Sequence, residues 1–277
     1  MTHGVQVVFD IGGTNTRVAI VSEDTLGEVH TFKTSNTPEE GLGVLSREIK
    51  KMVGAKNVSA LCGDIAGIVK DGVIFVSPNL PKWNRTNIAE ELRRAFGGIP
   101  TTLFNDAELV ALGEYFYGAG KNEKNMLYIT VSTGVGGVHI VHGKVNRGTY
   151  NAELGHQIIK DDMELESLVS GTAVAKKYGV HPKDLDSKDA LCGLADLLAI
   201  GLYNTTLHFT PEVIVLGGSM ILGKNAIPVD RVQVRLEEMV KKYYPTSPRI
   251  KLAQLGDQGG LYGGLAYLVH HSFDKER

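Results

Sequence analysis

The sequence predicts an α/β chain built from two similar halves. Strand and helix signals alternate over the first hundred residues. A strand, glycine turn, strand unit near the N-terminus returns at an offset of about 120 residues. Glycines, 33 of 277 residues, gather in turns behind apolar runs.

With 277 residues and 43% hydrophobic content, the chain can bury a large core, and two domains or one split by a cleft is the natural expectation. A formal net charge of −2 with 22% charged residues argues against an electrostatic nucleic-acid binder, whose footprint is a basic surplus. Cys62 and Cys192 stand far apart and fit no ligand spacing. A disulfide framework or zinc knuckle is therefore not expected, and a reducing cytosol suits them. The N-terminus MTHGVQVVFDIGG lacks the basic, apolar and small-residue regions of a secretory signal. No run approaches the ~18 consecutive apolar residues of a membrane span. A cytoplasmic protein with neither nucleic-acid nor membrane partners is expected.

In order, Val5–Ile11 and 17–21 are β-rich runs around Gly12-Gly13-Thr14-Asn15. Thr37-Pro38-Glu39-Glu40 reads as a capping box with proline at the first helical position, and Leu42, Leu45, Ile49 and Met52 follow at helical spacing. Residues 58–63 and 72–76 read as strands, 87–96 as a short helix closed by Gly97-Gly98, and 101–104 as a strand with a helix over 106–117 directly behind it. The pattern restarts at Asn125 with strands over 126–131 and 138–142 around Ser132–Gly137. An offset of about 120 lays Val18, Ile20 and Val21 on Val138, Ile140 and Val141. A long helix (187–208), the strand 213–216 ending in Gly217-Gly218, a helix (229–243) and a strand (250–254) follow; the glycines of 259–264 then lead into a C-terminal helix.

Four stretches carry chemistry. The first turn can aim successive N–H groups at an anion, with glycines admitting close approach. Asp10 at its mouth would repel a phosphate unless Mg2+, directly or through water, links the two. An ordinary tight hairpin whose Asp caps its own turn is the local alternative. The second turn, 130–137, repeats the design with hydroxyls in place of the acid. Gly217-Gly218 is explained equally by close packing or by a platform under a flat base. Asp106 opens a helix behind a strand edge, where it serves either as a local cap or as a base accepting a hydroxyl proton. Glu153, His156 and Glu166 could fork onto the vicinal hydroxyls of a sugar, against the alternative of a solvated acidic turn.

Taken in order, DIGGTNTR (10–17), SPNLPKW (77–83), NDAELVALGE (105–114), STGVGG (132–137), ELGH (153–156), LESLVSG (165–171), VLGG (215–218) and the late glycine cluster resemble the ROK family of sugar kinases. These belong among the actin-like, hexokinase-type ATPases with a ribonuclease H-like duplicated fold. The resemblance implies two lobes around a central cleft: a smaller one over 1–107 joined by a returning helix at about 262–277, and a larger one over 108–261. It places ATP and Mg2+ against Asp10, Gly12, Gly13, Thr14 and Asn15, with Thr133 and Gly134 opposite and Gly217 and Gly218 near the adenine. Asp10 would hold Mg2+ through water. Asn105, Asp106, Glu153, His156 and Glu166 would hold the sugar, with Gly67 and Asn79 in the pocket, and Asp106 would be the general base for a primary hydroxyl, O6. A glucokinase is expected, with fructose, mannose, allose and N-acetylmannosamine as alternatives, and a homodimer follows family habit.

One departure stands out. Most family members carry a CxCGxxGC zinc segment between the GH histidine and the LE glutamate. Here that interval, 157–165, is shorter and has no cysteine. No zinc is expected, and the short loop must be held by packing alone. A repressor of the family would need a winged-helix domain ahead of the first strand, and only nine residues precede Asp10. A catalytically idle sensor would have no need of Asp10 together with Asp106, and an actin-like chaperone none of Glu153, His156 and Glu166.

Overall fold

The computed structural model describes residues 4–148 and 152–270. The chain divides into two units, Met1–Tyr117 with Leu255–Arg277 and Gly118–Gln254. The part of the expected C-terminal helix beyond residue 270 lies outside the described residues.

The first unit opens with β1 (Val5–Ile11), β2 (Asn15–Ser22) and β3 (Thr25–Lys33), then α1 (Pro38–Val53). β4 (Val58–Ile65), the small hairpin β5 (Ile68–Lys70) and β6 (Val73–Val76), α2 (Ile88–Ala95), β7 (Thr101–Asn105) and α3 (Asp106–Phe116) follow. The second unit runs β8 (Asn125–Val131), β9 (Val135–Val141), β10 (Lys144–Val145), a hairpin β11 (Ile158–Lys160) and β12 (Met163–Glu164), α4 (Leu165–Val169) and α5 (Gly171–Tyr178). It continues through α6 (Lys188–Phe209), β13 (Val213–Gly217), α7 (Ser219–Leu222), α8 (Val229–Val240) and β14 (Arg249–Leu252), and α9 (Gly259–His270) returns to the first unit.

The sheets repeat one topology, β3-β2-β1-β4-β7 and β10-β9-β8-β13-β14. In each, a three-stranded antiparallel meander is extended by two parallel strands. The central strands are covered on both faces, which is why β13 reads as an unbroken apolar run and β1 is buried through Val7–Phe9. Val7, Phe9, Ile11 and Val18 pack with Leu45, Ile49 and Trp83, while Leu127, Ile129, Val131 and Val135 pack with Leu198, Leu202 and Leu236. The duplication carries one correction. Ile11 pairs with Thr16 and Val131 with Val135, so β1 maps onto β8 at an offset of 120 but β2 onto β9 at 119. The second turn is one residue shorter, and Val18 therefore corresponds to Gly137, which faces Leu154 in the second core, rather than to Val138.

Other expectations also shift. β3 was absent from the predicted elements; it is a solvated edge strand with polar and charged residues on most of its length. Thr37 makes no side-chain cap on α1. Instead Ser35 Oγ donates to Glu40 at 2.5 Å and accepts from the Thr37 N–H at 3.3 Å, so the staple starts two residues earlier than a capping box would. The late glycines lie inside α9, not ahead of it. A Cβ at Gly263 would run into the Leu109 carbonyl, and this closeness seats α9 on α3. α3 accordingly belongs to the first unit, and the boundary at 107 moves behind it. α6 is long and apolar enough to span a membrane by composition, but Leu194, Leu198 and Leu202 are buried in the core of the second unit.

Candidate active site

In the first unit the sheet register lines up Arg17, Asp10, Asp64 and Phe104 on adjacent strands, one rung below Ile65 and Asn105. The turn behind β1 has its carbonyls tied back. Thr34 Oγ1 donates to Gly12 O at 2.7 Å, the Thr34 N–H to Thr14 O at 3.0 Å and the Gly12 N–H to Asn15 O at 3.0 Å. A turn so fastened presents amides outward, and Gly13 and Thr14 are exposed. Asn79 lies against it: a Cβ on Gly13 would stand 2.7 Å from Asn79 Cβ.

Arg17 donates to Asp10 and to Asp257, each at 3.1 Å. Asp10 keeps a side-chain exposure of 17%, and burial, opposed by Asp64 and Arg17, raises its carboxyl pKa. Asp64 is a site residue that sequence reading missed. It is 1% exposed, and its Oδ2 finds no hydrogen-bond partner among the described residues. Burial first, then the charges of Asp10 and Asp106, push its carboxyl pKa well above the ordinary range, which favours the protonated form beside Asp10. The signal was present in VSALCGDI, a lone acid inside an apolar strand.

Asn105, at the end of β7, is the N-cap of α3: its Oδ1 accepts from the Ala107 N–H at 2.9 Å and the Glu108 N–H at 3.4 Å. Its Nδ2 donates to Gly67 O at 2.7 Å, which brings Gly67 to the same place. Gly67 has φ +152 and no room for a side chain beside Val76 O. Because Asn105 supplies the cap, Asp106 at the first helical position is not needed for it. Burial pushes the Asp106 carboxyl up to about 6, with Asp10 adding to the rise and the Ala107 N–H opposing it. A carboxylate of that basicity accepts protons near neutral pH.

In the second unit, 132–137, 153–156 and 165–171 form one cluster. The Gly171 N–H donates to Ser132 O at 2.7 Å, Thr172 Oγ1 to Thr133 O at 2.8 Å and the Ser132 N–H to Gly134 O at 2.8 Å. This turn too has its carbonyls fastened. At the end of the turn the Val135 N–H donates to Glu166 Oε2 at 2.7 Å. Glu166 is thus fixed against the turn, beside Gly134. Gly218 abuts Val131 O, and Ser219 Oγ lies 3.1 Å from Ser132 Oγ, so Gly217 and Gly218 border the same turn and pack closely there. Glu153 and His156 are exposed. His156 Nδ1 lies 2.8 Å from Glu164 Oε2, and that hydrogen bond, ahead of the Glu166 and Glu153 charges, raises its pKa.

The short interval 157–165 is not held by packing alone. It pairs as β11 and β12, and Gln157 accepts from Asn204 Nδ2 at 3.1 Å and donates to Leu154 O at 2.8 Å. Among the described residues no group of three His, Cys, Asp or Glu side chains is placed to hold a metal ion.

The ROK family profile matches residues 6–272. A fructokinase of Zymomonas mobilis is 29% identical, over 92% of this chain and 93% of its own length. Among solved structures, a ROK hexokinase from Thermus thermophilus superposes with a TM-score of 0.83 at 27% identity, covering 95% of this chain and 98% of that one. A ROK glucokinase from Streptomyces griseus in complex with glucose and AMPPNP superposes at 0.73 and 23% identity, covering 97% and 100%.

Proposed function

We propose that this chain, which belongs to the ROK family and is one of its ATP-dependent sugar kinases, phosphorylates glucose on O6. The carrying observation is Asp106: half-buried, its carboxyl raised to about 6 by desolvation, and released from capping by Asn105. In this reading Asp106 accepts the proton of the primary hydroxyl as that oxygen attacks the γ-phosphorus. The bond from that phosphorus to the bridging oxygen of ADP breaks in the same step.

The assignment gives the first unit the nucleotide turn Gly12–Asn15 with Asp10, and Gly67, Asn79 and Asn105 for the sugar. To the second it gives the outer-phosphate turn at Thr133 and Gly134, the adenine platform at Gly217 and Gly218, and Glu153, His156 and Glu166 for sugar hydroxyls. The donor set fits Mg2+ carried in with the nucleotide: one partly exposed carboxylate, Asp10, and among the described residues no protein cage. Bound there, Mg2+ would neutralise phosphate charge, with Asp10 holding it through water. Arg17 and Asp64 orient Asp10 from either side. Cytoplasmic location and a homodimer complete the reading.

Fructose is the second reading, on the likeness to a fructokinase over nearly the whole chain. A coupled ADP-release assay over glucose, fructose, mannose, allose and N-acetylmannosamine tests both. Glucose should lead in kcat/KM by about tenfold, a difference of ~1.4 kcal/mol in transition-state binding. A lead by fructose would overturn the glucose assignment, and no ADP release with any sugar would overturn the kinase.

A further inference from the structure

We infer that Glu164 is a positioning residue of the sugar site: it holds the His156 ring at Nδ1 and leaves Nε2 to meet a sugar hydroxyl. The inference rests on the reading of His156 as a sugar contact, and it goes beyond that reading by naming what orients the ring in a chain without the family's cysteine segment.

The geometry that supports it is local. His156 Nδ1 stands 2.8 Å from Glu164 Oε2. The pairing Ile158↔Glu164 and the Leu165 N–H donated to Gln157 O at 2.9 Å set the register that brings residue 164 back to residue 156. The two residues of the reversal, Asp161 and Asp162, have φ +43 and +60, the left-handed pair that a two-residue hairpin requires. Asn204 on α6 holds the base of this hairpin through Gln157, and Ile159 packs against the core. A nine-residue excursion is thus anchored at its base and delivers one carboxylate to one imidazole nitrogen.

An imidazole on an open surface otherwise samples several rotamers and both tautomers. A carboxylate at Nδ1 favours the proton there and a single ring orientation, which lowers the ordering cost when a hydroxyl binds Nε2. The charged groups that face the ring are Glu164, Glu166 and Glu153. Of these, Glu166 already spends Oε2 on the Val135 N–H, whereas Glu164 bonds the ring directly.

The test is a double-mutant cycle on the full chain, reading KM for the sugar, KM for ATP and kcat, with the His156 ring titration followed by NMR. Glu164→Ala should raise the sugar KM about tenfold, the loss of one charge-assisted hydrogen bond, with kcat and the ATP KM within about twofold. In a His156→Ala background the same substitution should change the sugar KM by less than twofold. Glu164→Gln, the isosteric variant that guards against misfolding, should recover part of the affinity and lower the midpoint of the His156 titration. The inference is overturned if His156→Ala raises the sugar KM while Glu164→Ala and Glu164→Gln do not, or if the Glu164 effect persists undiminished without His156. If His156→Ala itself leaves the sugar KM unchanged, the reading of His156 fails, and the inference with it.

Discussion

At the scale of single residues, the first unit stores unfavourable electrostatics where chemistry needs it. Asp106 binds its proton more tightly in the folded chain, about 6 against an ordinary 3.8. Its burial therefore costs stability above the folded pKa, and that cost fades as pH falls below the unfolded one. Asp106→Asn should raise unfolding free energy by about 1–3 kcal/mol at pH 8 and by almost nothing at about pH 3. Denaturant melts at the two pH values check this, and an equal effect at both would contradict the buried-carboxylate account. In the wild type, kcat/KM should fall as pH drops through about 6, because the base is then protonated. A profile flat to pH 5 would deny Asp106 that role. Asp64→Asn replaces a carboxyl whose ionised form is penalised by burial with a neutral amide beside Asp10, so the fold should melt at or above the wild-type temperature at pH 8. Most of these residues could be read from the sequence because each stood in a motif. Asp64 showed only as a lone acid in an apolar strand, and its pairing with Asp10 across β4 and β1 is a three-dimensional fact.

At the scale of elements, periodicity revealed what is buried and failed where elements are solvated or packed closely. The core strands and α1, α6 and α8 announce themselves through apolar spacing. β3 does not, because an edge strand in water needs no alternation. The 259–264 glycines look like a turn in the sequence, since glycine is a poor helix former; close packing of Gly259 and Gly263 on α3, and of Gly260 and Gly264 on β1 and β4, explains them in a helix. Gly263→Ala should accordingly cost about 2–4 kcal/mol, far above the propensity gain of alanine. A change under 0.5 kcal/mol in thermal or denaturant unfolding would mean that α9 does not seat there as described. The off-by-one in the repeat has a similar origin: three apolar matches cannot register a one-residue difference in turn length, whereas hydrogen-bond pairing does.

At the scale of the whole molecule, a near-neutral chain carries the same five-stranded topology twice, and each copy offers a fastened glycine turn. The family and the kinase class were legible because ordered motifs recur over the full length. The choice of hexose was not, since one or two loop contacts decide it and a sequence does not display loops in space. Replacing a metal-held loop with a paired hairpin predicts that metal analysis of purified protein finds no stoichiometric zinc. Dialysis against chelator, followed by Mg2+, should then restore full turnover. One zinc per chain, or activity that zinc alone restores, would contradict this.

The account stands most directly on the carboxylate at residue 106. Single-turnover phosphoryl transfer from ATP to saturating glucose should fall about 10³–10⁴-fold in Asp106→Asn, the scale of a lost general base, while glucose affinity by calorimetry changes less than about threefold. Transfer at the wild-type rate in that variant would contradict it.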